Sequence, residues 1–323
     1  MTTVSNRRIA TPHLERVTRL SEAIAKVIRG KSEAIELTLI TLLSAGHLLI
    51  EDVPGIGKTT LAQTLAKSIS CDFHRIQFTS DLLPSDIIGV SIWNAKDQEF
   101  LFKRGPLFAN IVLADEINRA TPKTQSALLE AMSEFQVSVD NHTHELAAPF
   151  MVIATQNPME HYGTYPLPES QMDRFFLRIR LGYPDEDKER EIIRNQEFVH
   201  PLSRVQPVLG RGEVLELQEQ VKNVLVEETV LSYILKIANA TRTSPLIAVG
   251  CSPRGSLYYF RAVQAYAFAQ GRDYAVPDDV KKLAVPLLAH RILLKSSAVF
   301  QENRTEEAER VINQIVQTIP VPL

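Results

Sequence analysis

The sequence predicts an α/β fold in which helices pack on both faces of a parallel sheet and a smaller all-helical domain follows. Apolar runs at residues 47–50, 111–114 and 150–154 lack polar alternation, which is typical of strands buried on both faces. Segments with helical periodicity separate these runs. After Tyr183-Pro184 the helical periodicity continues without a convincing strand. We therefore expect an α/β domain over residues 1–184 and a helical domain over residues 185–323.

The other elements follow from the same patterns. A further strand is predicted from Phe73 to Phe78. The predicted helices, in chain order, are residues 11–29 with Gly30 as the stop, Ser32 to Leu43, the segment that carries Leu61, Leu65 and Ile69, a charged segment from Asp185 to Phe198, residues 213–240, residues 254–270, and a segment that opens at Pro277.

The composition excludes several classes of protein. Of the 323 residues, 45% are hydrophobic and 23% are charged, which is ordinary for a soluble globular protein. A net charge of −3 gives no basic footprint and therefore disfavours a nucleic-acid-binding protein. Cys71 and Cys251 are too few for a disulfide framework. Met1 to Ala10 lacks the apolar core of a signal peptide, and the apolar stretch 37–50 is too short to span a bilayer, so we expect a cytoplasmic protein without membrane insertion.

The strand at 47–50 leads into a glycine-bearing turn and then a helix, the order of elements in a phosphate-binding loop. Gly55 and Gly57 permit a tight turn whose backbone N–H groups converge on an anion. The strict pattern G-x-x-x-x-G-K-[ST] places glycine where this chain has Asp52. The alternative is a glycine turn that happens to precede Lys-Thr. The predicted nucleotide-binding residues here are Pro54, Gly55, Ile56, Gly57, Lys58, Thr59 and Thr60.

Carboxylates follow the second apolar run directly. Asp115 is expected to hold Mg²⁺ through its water shell, opposite the Thr59 hydroxyl, and Glu116 to orient the water that attacks a γ-phosphate. A solvated acidic pair is the alternative interpretation. At the end of the third run, Asn157 is expected to bond both the phosphate and that water, although Asn157-Pro158 also serves as a turn.

Two arginines are candidates for stabilising the charge that develops during phosphoryl transfer. Arg174 lies in the run LPESQMDRF over residues 167–175, and Arg254 lies in SPRG at the start of a predicted helix. Surface arginines more often only solvate a face or make weak salt bridges.

Together these segments resemble the MoxR family of AAA+ ATPases over nearly the whole chain. The most specific stretches are FTSDLLPSD (78–86), GPLFAN (105–110), LADEINRA (113–120), QSALLEAM (125–132), TQNP (155–158) and GTYPLPE (163–169). The resemblance implies that Lys58 and Thr59 act as the Walker A pair, Asp115 and Glu116 as the Walker B pair, and Asn157 as sensor 1.

The resemblance also implies a role for each arginine and a base pocket. Arg174 would be an arginine finger that acts on ATP bound by the neighbouring subunit, and Arg254 would be sensor 2, reaching ATP on its own subunit. Ile28 and Gly30 would line the adenine pocket, where Lys31 stands in place of the more usual glutamine. Members of the family assemble as rings, commonly hexamers, act as chaperone-like remodelling factors, and have partners with von Willebrand factor A domains.

Two insertions are expected in the first domain, and either could face a central pore. Residues 87–102 are expected to project with Trp93 near the tip, although packing of Trp93 against the core is an equal alternative. Residues 135–148 contain a predicted hairpin that turns at Asp140-Asn141. His142 and His144 on it are expected to be solvated turn residues rather than a metal pair.

The predicted function is Mg²⁺-dependent hydrolysis of ATP coupled to remodelling of partner proteins. The predicted catalytic residues are Glu116, Asn157, Arg174 and Arg254, and the predicted metal ligands are Thr59 and Asp115. A nucleotide-gated binding switch with slow hydrolysis is the alternative. A DNA-handling motor is disfavoured by the acidic composition.

Overall fold

The computed structural model describes residues 11–140, 142–157, 163–187, 189–190, 201–295 and 304–322. Met1 to Ala10 and Pro158 therefore lie outside the described residues. In the first part of the chain the helices are α1 (Thr11–Ala25), α2 (Ser32–Leu43), α3 (Lys58–Ser68), α4 (Pro84–Ile88), α5 (Pro122–Glu134) and α6 (Glu169–Met172). The strands there are β1 (Leu48–Glu51), β2 (Phe73–Gln77), β3 (Gly89–Asn94), β4 (Glu99–Arg104), β5 (Ile111–Asp115), β6 (Gln136–Val139), β7 (His142–Glu145), β8 (Met151–Gln156) and β9 (Leu177–Ile179).

Five of these strands form one parallel sheet in the order β2-β5-β8-β1-β9. In register, Leu113 of β5 and Leu48 of β1 lie on either side of Ile153 in β8. Every residue of β1 and β5 is buried, as continuous apolar runs predict. The sequence did not predict β9, which is three residues long and has Arg178 at its centre.

Helices cover both faces of the sheet, as predicted. Leu48 and Leu113 belong to one apolar cluster with residues of α1, α2 and α3. Leu49 and Val112, one residue away along their strands, belong to a second cluster with residues of α4 and α5. Successive side chains on a strand point to opposite faces, so α3 and α5 lie on opposite sides of the sheet.

The two predicted insertions are antiparallel hairpins, β3–β4 and β6–β7. Trp93 is 55% exposed and makes an edge-to-face contact with Phe100, which decides between the two alternatives in favour of an exposed position. The ring of His144 stacks on Phe102 with a centroid distance of 4.2 Å, which joins the hairpins. The expectation that His144 is a solvated turn residue is therefore wrong.

Helices dominate the second part of the chain, which the first apolar cluster joins to the sheet. They are α7 (Arg211–Val221), α8 (Glu228–Thr243), α9 (Pro253–Ala269), α10 (Pro277–Leu288) and α11 (Arg304–Thr318). Strands β10 (Ile247–Val249) and β11 (Leu293–Leu294) form a short antiparallel ribbon, so the prediction of no strand here is wrong in that detail. Segments this short carry no readable alternation. Of the helix predicted from Asp185 to Phe198, residues 188 and 191–198 lie outside the described residues.

Candidate functional site

The sheet order brings the predicted site residues to one edge. Strands β1, β8 and β5 are neighbours and run parallel, so their carboxyl ends meet. The loop 52–57 follows β1, Asn157 follows β8, and Asp115-Glu116 closes β5. Three apolar runs separated along the chain thus deliver the loop, an amide and two carboxylates to the same place.

The loop after β1 is open and suited to an anion. Gly55 and Gly57 have φ angles of +85° and +98°, which disfavour other residues, and a Cβ at either position would meet no atom within 4 Å. Helix α3 begins immediately afterwards at Lys58, and no side chain caps its N-terminus. Its first N–H groups have no intrahelical partner, which fits a phosphate group.

Lys58 and Asp52 tie this loop to the rest of the protein. Lys58 is 8% exposed, and its Nζ donates to the backbone oxygen of Asp52 at 2.7 Å. The Oδ2 atom of Asp52 accepts hydrogen bonds from the N–H groups of Leu181 and Gly182, each at 2.7 Å. The residue that replaces the strict first glycine therefore attaches the loop to the segment that follows β9.

Asp115 is 8% exposed, and two neighbouring side chains fix the position of its carboxylate. Arg75 on β2 donates to its Oδ2 from Nε at 3.1 Å and from Nη2 at 2.6 Å. The buried hydroxyl of Thr155 donates to its Oδ1 at 2.6 Å. With the Thr59 hydroxyl in the first turn of α3, Asp115 supplies hard oxygen donors, the kind that Mg²⁺ prefers.

Glu116 is held in a strained conformation. Its φ of +57° lies in the left-handed region, and its N–H donates to the Thr155 hydroxyl at 2.9 Å. Gln77 on β2 donates to Glu116 Oε2 at 2.8 Å, and Arg119 Nε lies 3.3 Å from the same atom. The strain and these partners together set where the carboxylate points, one residue beyond the end of β5.

Asn157 and the two arginines differ in placement. Asn157 is 7% exposed directly after β8. Arg174 is half-buried, and its Nη1 donates to the backbone oxygen of Leu129 on α5. Helix α5 lies on the face of the sheet opposite to α3. Arg254 is exposed in the first turn of α9 and has no hydrogen bond or ion pair among the described residues. Neither arginine bonds to the loop 52–57 of its own chain in the described part of the molecule.

The segment predicted to line a base pocket is connected to this loop through residues 181–183. Ile28 is 9% exposed, and Gly30 has a φ of +70°. Lys31 donates from Nζ to the backbone oxygen of Tyr183 at 2.7 Å. Because Asp52 binds the preceding residues Leu181 and Gly182, the segments 28–31, 52–58 and 181–183 converge.

Three polar residues of this site were not singled out from the sequence. Arg75 and Gln77 looked like ordinary positions of an alternating strand, and only the pairing of β2 with β5 places them beside Asp115 and Glu116. Thr155 lies within TQNP, where its position two residues before Asn157 gave the one available signal. Among the described residues no group of three His, Cys, Asp or Glu side chains could hold a metal ion.

Known proteins of similar sequence identify the family to which the chain belongs. Residues 47–177 match the ATPase family associated with various cellular activities, and residues 239–315 match the AAA lid domain. A protein called YeaC from Bacillus subtilis is 50% identical over 302 residues, covering 94% of this chain and 93% of that protein. Chaperone MoxR1 from Mycobacterium tuberculosis is 42% identical over 308 residues, covering 93% of this chain and 80% of that protein.

A solved structure shares the fold. A crystal structure of a protein assigned as an ATPase from Cytophaga hutchinsonii superposes with a TM-score of 0.86 at 39% identity, covering 97% of this chain and 96% of that one. In the described part of the chain, none of the helices combines the length and apolar character that crossing a membrane requires. From the identity to Chaperone MoxR1 and the two matched domains, the chain belongs to the MoxR family of AAA+ ATPases.

Proposed function

We propose that this chain hydrolyses ATP with Mg²⁺ at sites shared between subunits of a ring, and couples hydrolysis to chaperone-like remodelling or activation of partner proteins. The observation that carries the proposal is the meeting of the α3 N-terminus with Asp115, Glu116 and Asn157 at one sheet edge. The name Chaperone MoxR1, given to a relative, supports the chaperone-like part.

Nucleotide binding is assigned to the loop and its surroundings. Residues from Pro54 to Thr60 would hold the phosphates through backbone N–H groups, with the Lys58 ammonium released from Asp52 to neutralise their charge. Ile28 and Gly30 would line the base pocket. Thr59 and Asp115 would hold Mg²⁺, which when bound neutralises charge on the phosphate oxygens.

Hydrolysis is assigned to Glu116 and Asn157. The Glu116 carboxylate would orient and deprotonate the attacking water, because Gln77 and Arg119 fix its direction and Thr155 fixes its backbone. The Asn157 amide would bond both that water and the transferred phosphoryl group.

The arginines complete the site from outside the loop. Arg174 would act on ATP bound by the neighbouring subunit, because its partner Leu129 lies across the sheet from α3 of its own chain. Arg254 would reach its own ATP from a lid over residues 185–323, against a nucleotide-binding domain over residues 1–184. The shared sites would lie between neighbouring subunits of a hexameric ring. A partner protein with a von Willebrand factor A domain is expected from the family.

A nucleotide-gated switch is the second candidate. The Nζ atom of Lys58 donates to the backbone oxygen of Asp52, and the Asp52 carboxylate accepts from the N–H groups of Leu181 and Gly182. Occupancy by ATP would withdraw Lys58 from this chain of contacts and so alter the segment before the lid. In that case slow hydrolysis would only reset the switch.

Steady-state ATPase activity across a wide range of protein concentration tests the proposal. We expect the specific activity to rise steeply with concentration, and Glu116→Gln to lower kcat at least about 100-fold while ATP still binds. Glu219→Gln is the matched control, because Glu219 is exposed and pairs only with Lys222 among the described residues. Activity that is flat with concentration would contradict shared sites, and ATP binding without turnover would favour the switch.

A further inference from the structure

Gln125 on α5 connects two segments that the proposed mechanism uses separately. It is 1% exposed, and its Nε2 donates to the backbone oxygen of Ile117 at 3.1 Å and to that of Tyr165 at 2.8 Å. A carboxamide NH₂ has two hydrogens, so both bonds form together. Ile117 directly follows Glu116, while Tyr165 precedes the segment that carries Arg174.

The backbone of Tyr165 is attached on both sides. Its N–H donates to the oxygen of Asn118 at 2.6 Å, and its own oxygen accepts from Gln125. The Tyr165 side chain is 44% exposed, so the backbone makes this attachment. The segment before α6 is therefore attached both to the residues after Glu116 and to α5.

Helix α5 also contacts Arg174 itself. Leu129, four residues after Gln125 and hence on the same face of the helix, accepts a hydrogen bond from Arg174 Nη1. One buried helix face thus bonds to the residue after Glu116, to the segment before α6, and to the arginine beyond it. Buried polar groups are costly to leave unpaired, so displacing one of these three segments relative to α5 costs free energy.

We propose that Gln125 is a positioning residue that couples Glu116 of a subunit to the Arg174 that the same subunit offers to its neighbour. This inference rests on the proposed function, because it requires a site shared between subunits. It gives the ring a path by which a change at Glu116 in one site reaches Arg174 in the next.

Subunits with complementary defects isolate this path. Glu116→Gln removes the hydrolysing carboxylate but leaves Arg174, whereas Arg174→Ala leaves Glu116 but offers no arginine. Mixed before assembly, the two form interfaces at which Glu116 of one subunit meets Arg174 of the other. We expect activity to return in the mixture although each variant alone lacks it.

Gln125→Met is then added to the Glu116→Gln subunit. That subunit's own site is inactive, so its Gln125 affects the measured rate only through the arginine it offers. We expect kcat of the mixture to fall about tenfold or more, since small displacements of a catalytic group cost one to two orders of magnitude. The KM for ATP should stay within about twofold, because the nucleotide loop belongs to the other subunit.

Gln264→Met on the same Glu116→Gln subunit is the matched control. Gln264 is 7% exposed on α9, and its Nε2 bridges the oxygens of Lys222 at 3.2 Å and Val224 at 2.9 Å, far along the chain from the site. It should leave the mixture unchanged. If Gln125→Met fails to fold or assemble, Gln125→Asn replaces it, since the shorter side chain keeps a buried amide but cannot reach the oxygens of both Ile117 and Tyr165.

The outcomes separate the inference from the mechanism on which it rests. If the subunit with Gln125→Met supports as much activity as its parent, Gln125 does not couple the two sites and the inference is wrong. If the unmodified mixture stays inactive, the shared-site mechanism fails and the coupling falls with it.

Discussion

His47 shows how one buried side chain joins the strands that carry the site. It lies just before β1, its Nε2 bonds to the Met132 oxygen at 2.9 Å, and its Nδ1 accepts from the N–H of Val152 at 3.0 Å. Both ring nitrogens are thus used by a neutral imidazole. Desolvation by burial lowers the pKa of His47 to about 4, against the smaller opposing effect of the Met132 bond.

Acid should therefore destabilise the protein through His47. The folded state keeps this ring neutral below pH 6.5, while the unfolded chain binds a proton there, so the free energy of unfolding falls as the pH drops towards 4. The full effect is about 3 kcal/mol. His290 acts in the same direction, because burial and then Arg291 lower its pKa as well. Urea unfolding at pH 7 and pH 5 measures this.

The matched variant is His47→Gln, which keeps an amide donor and has no proton to bind in this range. Its free energy of unfolding should change less between pH 7 and pH 5 than that of the wild type, by about 1 kcal/mol or more. An equal pH dependence in the two proteins would contradict the assignment of His47 as a neutral buried ring.

Among the elements, the loop after β1 depends on a contact of the Asp52 side chain that its sequence pattern does not indicate. The strict motif has glycine at position 52, yet the Asp52 carboxylate pairs the N–H groups of Leu181 and Gly182 as well as its neighbour Val53. Asp52 thus adds a link between the loop and the end of the sheet that glycine cannot make.

Asp52→Gly, which restores the strict motif, should therefore destabilise the protein. Two partly buried N–H groups lose their acceptor, at a cost of about 1–3 kcal/mol in the free energy of unfolding. Asp52→Asn keeps one side-chain oxygen and should lose less. Urea unfolding measures both, and hydrogen exchange at Leu181 and Gly182 should speed up in Asp52→Gly. Unchanged exchange at these two amides would show that the carboxylate does not protect them.

The sequence predicts an element when neighbouring residues determine it, and it fails where contacts between residues far apart in the chain determine it. Strands β1, β5 and β8 are continuous apolar runs, and the loop with Lys58 is a local motif, so both were predicted. Strand β9 was not, because Arg178 is buried there only by pairing with Glu51 at 3.0 Å and Glu309 at 2.8 Å, which lie far away along the chain. Gln125 and Arg75 join the site for the same non-local reason, through helix packing and strand register.

At the scale of the whole molecule, a buried polar junction holds the helical part of the chain against the sheet. Arg291 Nε lies 3.1 Å from Asp173 Oδ1, and its Nη2 donates to the oxygens of Phe175 and Phe176. Ser252 donates to the other Asp173 oxygen at 2.9 Å and caps α9. Because Asp173 adjoins Arg174 and Ser252 lies two residues before Arg254, the junction connects both arginines.

Replacing Arg291 should lower the free energy of unfolding more than replacing a residue of an exposed ion pair does. The side chain is fully buried, and Arg291→Met leaves the Asp173 carboxylate without its charged partner, at a cost of about 3–5 kcal/mol in the free energy of unfolding. Arg310→Met is the control, because Arg310 forms an exposed pair with Glu307 whose loss costs under about 1 kcal/mol.

Urea unfolding of both variants gives the comparison, and limited proteolysis reports whether the helical part separates from the sheet. Arg291→Met should be cleaved faster than Arg310→Met under native conditions, because a junction that lacks the guanidinium opens more often. Equal stability and equal cleavage of the two variants would mean that apolar packing alone joins the two parts. The first apolar cluster, which contains residues of the sheet and of α7–α11, would then be sufficient to hold the helical part against the sheet.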